Sequence, residues 1–175
     1  RRAAETFFEA ADHADGLDLR ECRIQAVEQL LRAGDVDTGT DLLYEELEAL
    51  GFSPVDQRPL MFASTLYRRW RLERRGFVFE LRPPETLDRR KRLLLEALTM
   101  ATLMHGIIDV PRGTYFHYHA LPMALETGYP SRLALLLCQQ VAQDVALRVA
   151  PERGDALLKK ARDLVPECQH EPGRV

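Results

Sequence analysis

Asparagine is absent from this 175-residue chain, lysine occurs only at Lys91, Lys159 and Lys160, and cysteine only at Cys22, Cys138 and Cys168. The cysteines lie far apart and form no CxxC pair, so neither a disulfide framework nor a zinc site is indicated, and a reducing cytoplasm is the expected location. No apolar run is long enough to span a bilayer, because Glu96, Gln139, Gln140 and Asp144 interrupt the longest ones. Also missing are a P-loop GxxxxGK, a GxGxxG, a GxSxG and an HExxH. These absences argue against a kinase or ATPase site inside the chain and leave no catalytic residue, cofactor or metal to assign. A net charge of −3 gives no overall pull toward nucleic acid or acidic membrane. Arginine supplies nearly all the positive charge, a bias that suits a GC-rich bacterial genome. The chain opens on Arg1-Arg2 rather than Met, which suggests an excised segment of a longer protein.

What is present reads as helices. Leu93–Met104 and Leu133–Val149 are apolar nearly all round, as expected of helices buried between other helices. They flank an amphipathic segment capped by Asp109, with Pro111 in its first turn and an interior Pro122 predicted to kink or divide it. Upstream, helices are expected from Arg1 to about Ala14, from near Asp18 to Gly34, from Asp37 or Thr38 to Gly51, and from Val55 to Arg75. On the last of these, Ala63, Leu66 and Trp70 share one side, and Arg68, Arg71 and Arg75 the other. Phe77-Val78-Phe79, ahead of Pro83-Pro84, reads as an apolar connector. A long helix from Thr86 to His105, ended by Gly106, follows it. Beyond Gly128-Pro130, helices are expected over 132–149 and 155–165. The sum is an all-α chain of about eight helices joined by short turns, which means a bundle or an α-solenoid. Ala33-Gly34-Asp35 between two helices, Gly39, Leu43 and then Pro54 favour a degenerate tetratricopeptide-like α-solenoid of antiparallel helix pairs. It forms one helical-repeat domain over 1–166, with 167–175 a polar tail.

Four groups of residues have possible chemistry. His105, His117 and His119 are weighed as metal ligands, but His117 and His119 are two apart on one helix and point to different sides, so packing at helix seams is the simpler role. The basic run Arg68, Arg69, Arg71, Arg74, Arg75, continuing through Arg82, Arg89, Arg90, Lys91 and Arg92, is the strongest charge feature. It would serve nucleic acid or a docked partner, although Arg68, Arg71 and Arg75 also have the spacing of a solvated face opposite Trp70. Glu45-Glu46 and Asp12/Asp15 are placed on polar helix faces. Tyr115, Phe116, Tyr118 and Tyr129 concentrate aromatic surface that suits core packing or a peptide-binding concave face. The candidate partner-binding residues are therefore Arg68, Arg71, Arg75, Tyr115 and Tyr118.

Asp109-Val110-Pro111-Arg112-Gly113-Thr114-Tyr115-Phe116 and Ala124-Leu125-Glu126-Thr127-Gly128-Tyr129-Pro130 fit D-x-x-R-G-x-x-F and A-L-x-x-G-x-P. With Gln29–Gly34, Arg68–Gly76 and Asp155–Arg162, they resemble the helical region behind the predicted ATPases of large bacterial multidomain proteins, of myxobacterial and planctomycete type. Those proteins are often fused to a serine/threonine kinase domain. The resemblance covers most of the chain and implies a tetratricopeptide-like module beside a signalling ATPase and kinase. It carries over no catalytic residue, and Pro122, His117 and His119 depart from its pattern. The expected function is non-enzymatic: a protein-interaction and regulatory module whose partner is another protein or a neighbouring domain of the same chain. The alternatives are a basic-face nucleic-acid or effector-binding domain, and a small-molecule enzyme using His105 or His119. The tail Glu171–Val175 reads as the start of a further helix.

Overall fold

Gly34 stands just past the first long helix with φ +83°, and there the chain turns back. In the computed structural model, which describes residues 2–82, 86–149 and 151–168, this turn joins α2 (Gly16–Arg32) to α3 (Val36–Ala49). The Gly34 N–H donates to Leu31 O and the Asp35 N–H to Leu30 O, a Schellman stop that satisfies the last carbonyls of α2. The same pair of bonds, from Gly51 to Glu48 O and from Phe52 to Leu47 O, ends α3. The remaining elements are α1 (Arg2–Ala11), α4 (Arg58–Arg75), α5 (Arg89–Ile108), α6 (Val110–Thr127), α7 (Pro130–Ala146), α8 (Pro151–Asp163) and the short α9 (Val165–Cys168). No strand occurs among the described residues, so the chain is all-α.

The helices pack largely in chain order. α1 lies on α2 and α2 on α3; α5 lies on α6, α6 on α7 and α7 on α8. Contacts of α2 and α3 with α5 join the two groups. α4 is the exception, since it packs on α6 and on neither of its chain neighbours. Val55 shows what holds it there. Its N–H donates to the Tyr115 hydroxyl at 3.1 Å, which ties the loop after α3 to α6 and delays the start of α4 to Arg58 rather than Val55.

The two apolar runs supply the core. Leu93, Leu95 and Leu98 of α5 and Leu133, Leu136 and Leu137 of α7 close around Tyr115, Phe116, Tyr118 and Leu121 of α6. Leu98 and Leu136 have no accessible surface. Leu98→Asp or Leu136→Asp is therefore expected to unfold the chain, since an unpaired buried carboxylate costs more than ~4 kcal/mol of the ~5–15 kcal/mol that holds a domain together. Circular dichroism melts check this, and a variant with native helicity and melting temperature would show the burial to be wrong.

Several local expectations are corrected. Gly106 does not end α5, which runs on to Ile108; its backbone instead lies close against Gly113 of α6. Pro122 does not divide α6, which continues to Thr127 between the buried Leu121, Ala124 and Leu125. Glu46 is not on a polar face. It is fully buried, with its carboxylate held by Arg20 at 3.1 Å and Arg23 at 2.9 Å from α2, and this double pairing is what permits the burial. Asp109 caps α6 as expected, accepting from the Arg112 N–H. Pro83-Pro84 and the Glu171–Val175 stretch lie outside the described residues.

Candidate functional site

Helix α4 is mounted the other way round from its sequence pattern. Only Met61 and Leu72 are buried, and Arg68 lies beside them facing α6. Trp70, which pattern alone turns inward, is 50% exposed, next to Tyr67 at 58%, and Phe62 and Leu66 are exposed on a neighbouring face. The reason is spacing. Met61, Thr65, Arg68 and Leu72 follow one another at four, three and four residues, a single stripe of the helix, and that stripe seats on α6.

Each flank of this stripe borders a depression. On one side Phe62 and Leu66 meet Val110, Pro111 and Tyr118 of α6 and Leu147 after α7, forming an apolar groove of about 460 Å³. On the other side Arg68, Arg71 and Arg75 line a cleft of about 440 Å³, opposite His119, Pro122 and Glu126 of α6. Phe52, Leu72, Leu98 and Met123 complete its walls. Three of the five expected binding residues are thus brought together in one place. Arg75 pairs with Glu126 at 3.2 Å. Arg68 and Arg71 have no carboxylate partner among the described residues, and burial pulls the Arg68 guanidinium below its ordinary pKa.

Tyr115 and Tyr118 are placed differently, both buried beneath the surface. Tyr115 spends its hydroxyl on Val55. Tyr118 reaches only the floor of the apolar groove. The residues that pattern reading missed are Glu126, Phe62, Val110 and Leu147, and His119 was considered only as a metal ligand or catalytic group. The i, i+4 pair Phe62 and Leu66, set apart from the arginines, was the available signal for the groove.

The histidines go to three separate environments. His105 stacks on Phe116 with ring centroids 5.7 Å apart, and burial, helped by the Arg112 guanidinium, lowers its pKa to about 4. His117 faces α7, where its Nε2 is 3.0 Å from Gln140 Oε1. Gln140 donates on to Asp144 at 2.8 Å, and Asp144 pairs with Arg153 of α8 at 2.9 Å, a buried polar chain linking three helices. Burial takes His117 to about 4 despite the Gln140 bond. His119 points away from both, edge-on to Phe52 at 4.8 Å, with its pKa lowered to about 3 by burial and by Arg68. Among the described residues no three His, Cys, Asp or Glu side chains gather as a metal site.

The rest of the basic run is largely engaged within the chain. Arg74 lies over the Trp70 ring at 4.5 Å, and Arg69 pairs with Glu73 at 3.0 Å. Arg89 binds Asp18 and Glu21 of α2, and Arg90 donates to the Ala49 and Leu50 carbonyls at the end of α3. The run is therefore split among several faces instead of forming one stripe. No helix among the described residues is long and apolar enough to cross a membrane. No protein-family model, no curated protein and no solved structure matches the chain.

Proposed function

We propose that this chain is a non-catalytic, tetratricopeptide-like helical-repeat module that docks a protein partner along α4. The partner is a kinase or ATPase domain of a bacterial signalling protein of the kind it resembles, whether in the same polypeptide or another. The observation that carries this reading is the outer surface of α4. Phe62, Leu66, Tyr67 and Trp70 are all exposed on one 18-residue helix, and the groove beside Phe62 continues the apolar surface onto Val110 and Leu147. Exposed aromatics bordering an apolar groove are the usual anchors of a protein interface, whereas single scattered hydrophobics need no explanation. The successive packing of α1 to α3 and of α5 to α8 supports a repeat architecture, with α4 packed on α6. Nucleic acid is less well supported, because most of the arginines that would meet phosphates already have intramolecular partners.

A photo-crosslinking residue placed at Trp70 in cells of the source organism tests the reading. Adducts carrying kinase or ATPase peptides are expected, reduced at least tenfold by Leu66→Glu and absent when the crosslinker sits at Arg162 on α8. Adducts of equal yield at both positions would dismiss α4 as the docking face.

A further inference from the structure

The cleft on the arginine flank of α4 has chemistry that a protein-docking face does not require, and it stands independently of the docking reading. We propose that it binds a phosphate monoester carried on an apolar body, such as an aromatic phosphate.

The charge count comes first. Several arginines elsewhere on the chain pair with carboxylates: Arg20 with Glu46, Arg23 with Glu45 and Glu46, Arg32 with Glu28, Arg69 with Glu73, Arg112 with Asp56 and Arg153 with Asp144. Arg68 and Arg71 have no such partner among the described residues, and both line the same cleft. The third guanidinium, Arg75, is already offset by Glu126, which also borders the cleft. His119 is neutral near pH 7, since burial holds its pKa at about 3. The site therefore presents two uncompensated positive charges, matching a phosphate monoester, which carries about −1.5 to −2 at neutral pH. Two guanidinium forks one turn apart also suit its three oxygens in a way that point charges would not.

The remaining walls define the body of the ligand. Half-burying a guanidinium without a counter-ion is unfavourable, and an anion would offset that cost. His119 borders the cleft as a neutral ring, its Nε2 beneath the surface and without a hydrogen-bond partner among the described residues. Phe52 and Met123, half-buried over Leu72 and Leu98, are apolar and offer nothing to a bare inorganic anion, but they would cover an aromatic or alkyl group. The volume of about 440 Å³ falls within the ~300–1,000 Å³ typical of small-ligand sites. Small metabolites and phosphorylated tyrosine side chains share this chemistry.

Titration of the whole chain with phenyl phosphate, followed by calorimetry and by methyl resonances of Leu98 and Met123, tests the proposal. Saturable binding is expected, at least tenfold tighter than that of inorganic phosphate or of the monoanion benzenesulfonate. Arg71→Ala and Arg68→Ala should each weaken it at least tenfold, and Glu126→Gln should tighten it several-fold. Arg71 is exposed, so Arg71→Ala and Glu126→Gln keep the test valid should Arg68→Ala fail to fold. A phosphotyrosyl peptide that binds tenfold tighter than phenyl phosphate would assign the source to a phosphoprotein, and equal or weaker binding would assign it to a metabolite. Affinity unchanged by Arg71→Ala and Glu126→Gln, benzenesulfonate bound as tightly as phenyl phosphate, or binding seen only with DNA would each overturn the proposal.

Discussion

Acidification from pH 7 to pH 4 is expected to unfold the chain, and His105→Leu to remove part of that sensitivity. His105 and His117 are almost wholly buried, and burial holds each near pKa 4 instead of 6.5. The unfolded chain takes up these protons as pH falls through 6.5, whereas the folded chain does not until about 4. Protons therefore favour unfolding across that window: stability is complete above 6.5 and declines steadily toward 4. For a buried ring the separation corresponds to on the order of 3 kcal/mol, so the two together approach the whole stability of an ordinary domain, ~5–15 kcal/mol. His119, whose pKa lies at about 3 for the same reason, acts in the same direction. The two buried rings differ in their partners. Neither nitrogen of His105 has a hydrogen-bond partner among the described residues, while His117 is bonded to Gln140. His105→Leu should thus leave stability at pH 7 unchanged or higher and move the acid midpoint down by about one pH unit. His117→Leu should also flatten the acid limb, but lose ~1–3 kcal/mol at pH 7 by orphaning Gln140. Urea midpoints measured from pH 4 to 8 separate these cases. A wild-type midpoint that stays constant between pH 7 and 4.5 would falsify the assignment.

The elements that were legible in the sequence are those fixed by local chemistry. Glycine stops at Gly34 and Gly51, the Asp109 cap, and runs apolar nearly all round at Leu93–Met104 and from Leu133 to the end of α7 need no knowledge of the partner helix. Where a residue's role is set across helices, pattern reading misplaces it. Gly106 looks like a stop, yet α5 runs on through it, and its backbone is what the bare Gly113 of α6 lets come close. Glu46 looks solvated, but the arginines that bury it come from α2, more than twenty residues earlier. α4 is the clearest case. Its largest apolar residue, Trp70, marks the outer side, because α6 selects the stripe of Met61 and Leu72 instead. The arginine cleft exists only once α4 lies on α6, some fifty residues away in the chain, so its residues could be nominated singly but not as a site.

Gly113→Ala is expected to be the most damaging one-carbon change in the chain, and the comparison with Gly128→Ala shows why. A Cβ at Gly113 would lie 2.4 Å from the Gly106 nitrogen and 2.6 Å from its Cα. Both atoms belong to a helix backbone and cannot turn aside, so α5 and α6 must separate and loosen the core they share. A cost at the top of the overpacking range, about 3 kcal/mol, is expected and should be felt globally. At Gly128 the clash is nominally worse, 1.9 Å from the Glu80 carbonyl, with φ +65° adding about 1 kcal/mol of left-handed strain for alanine. Here, however, the obstacle is the connector running through Phe77 and Glu80, which is held by the Arg82 N–H to Gly128 O and by Lys160 to Phe77 O. That segment can lift away while the helices stay packed. Gly128→Ala should therefore speed hydrogen exchange in 77–82 and α8 with a modest fall in the urea midpoint, and Gly113→Ala should speed it throughout α5 and α6. Gly39→Ala supplies the comparison, since its Cβ would meet the Leu31 side chain at 2.7 and 2.8 Å and the nearest backbone atom only at 3.4 Å, so a side-chain shift of about 1 kcal/mol relieves most of the clash. Should Gly128→Ala prove globally more destabilising than Gly113→Ala, the connector would be an integral part of the core and not a strap across it. Gly113 and Gly128 are the glycines of the two motifs on which the family resemblance rests. In this fold both admit a neighbouring backbone, so those glycines mark how the chain is assembled.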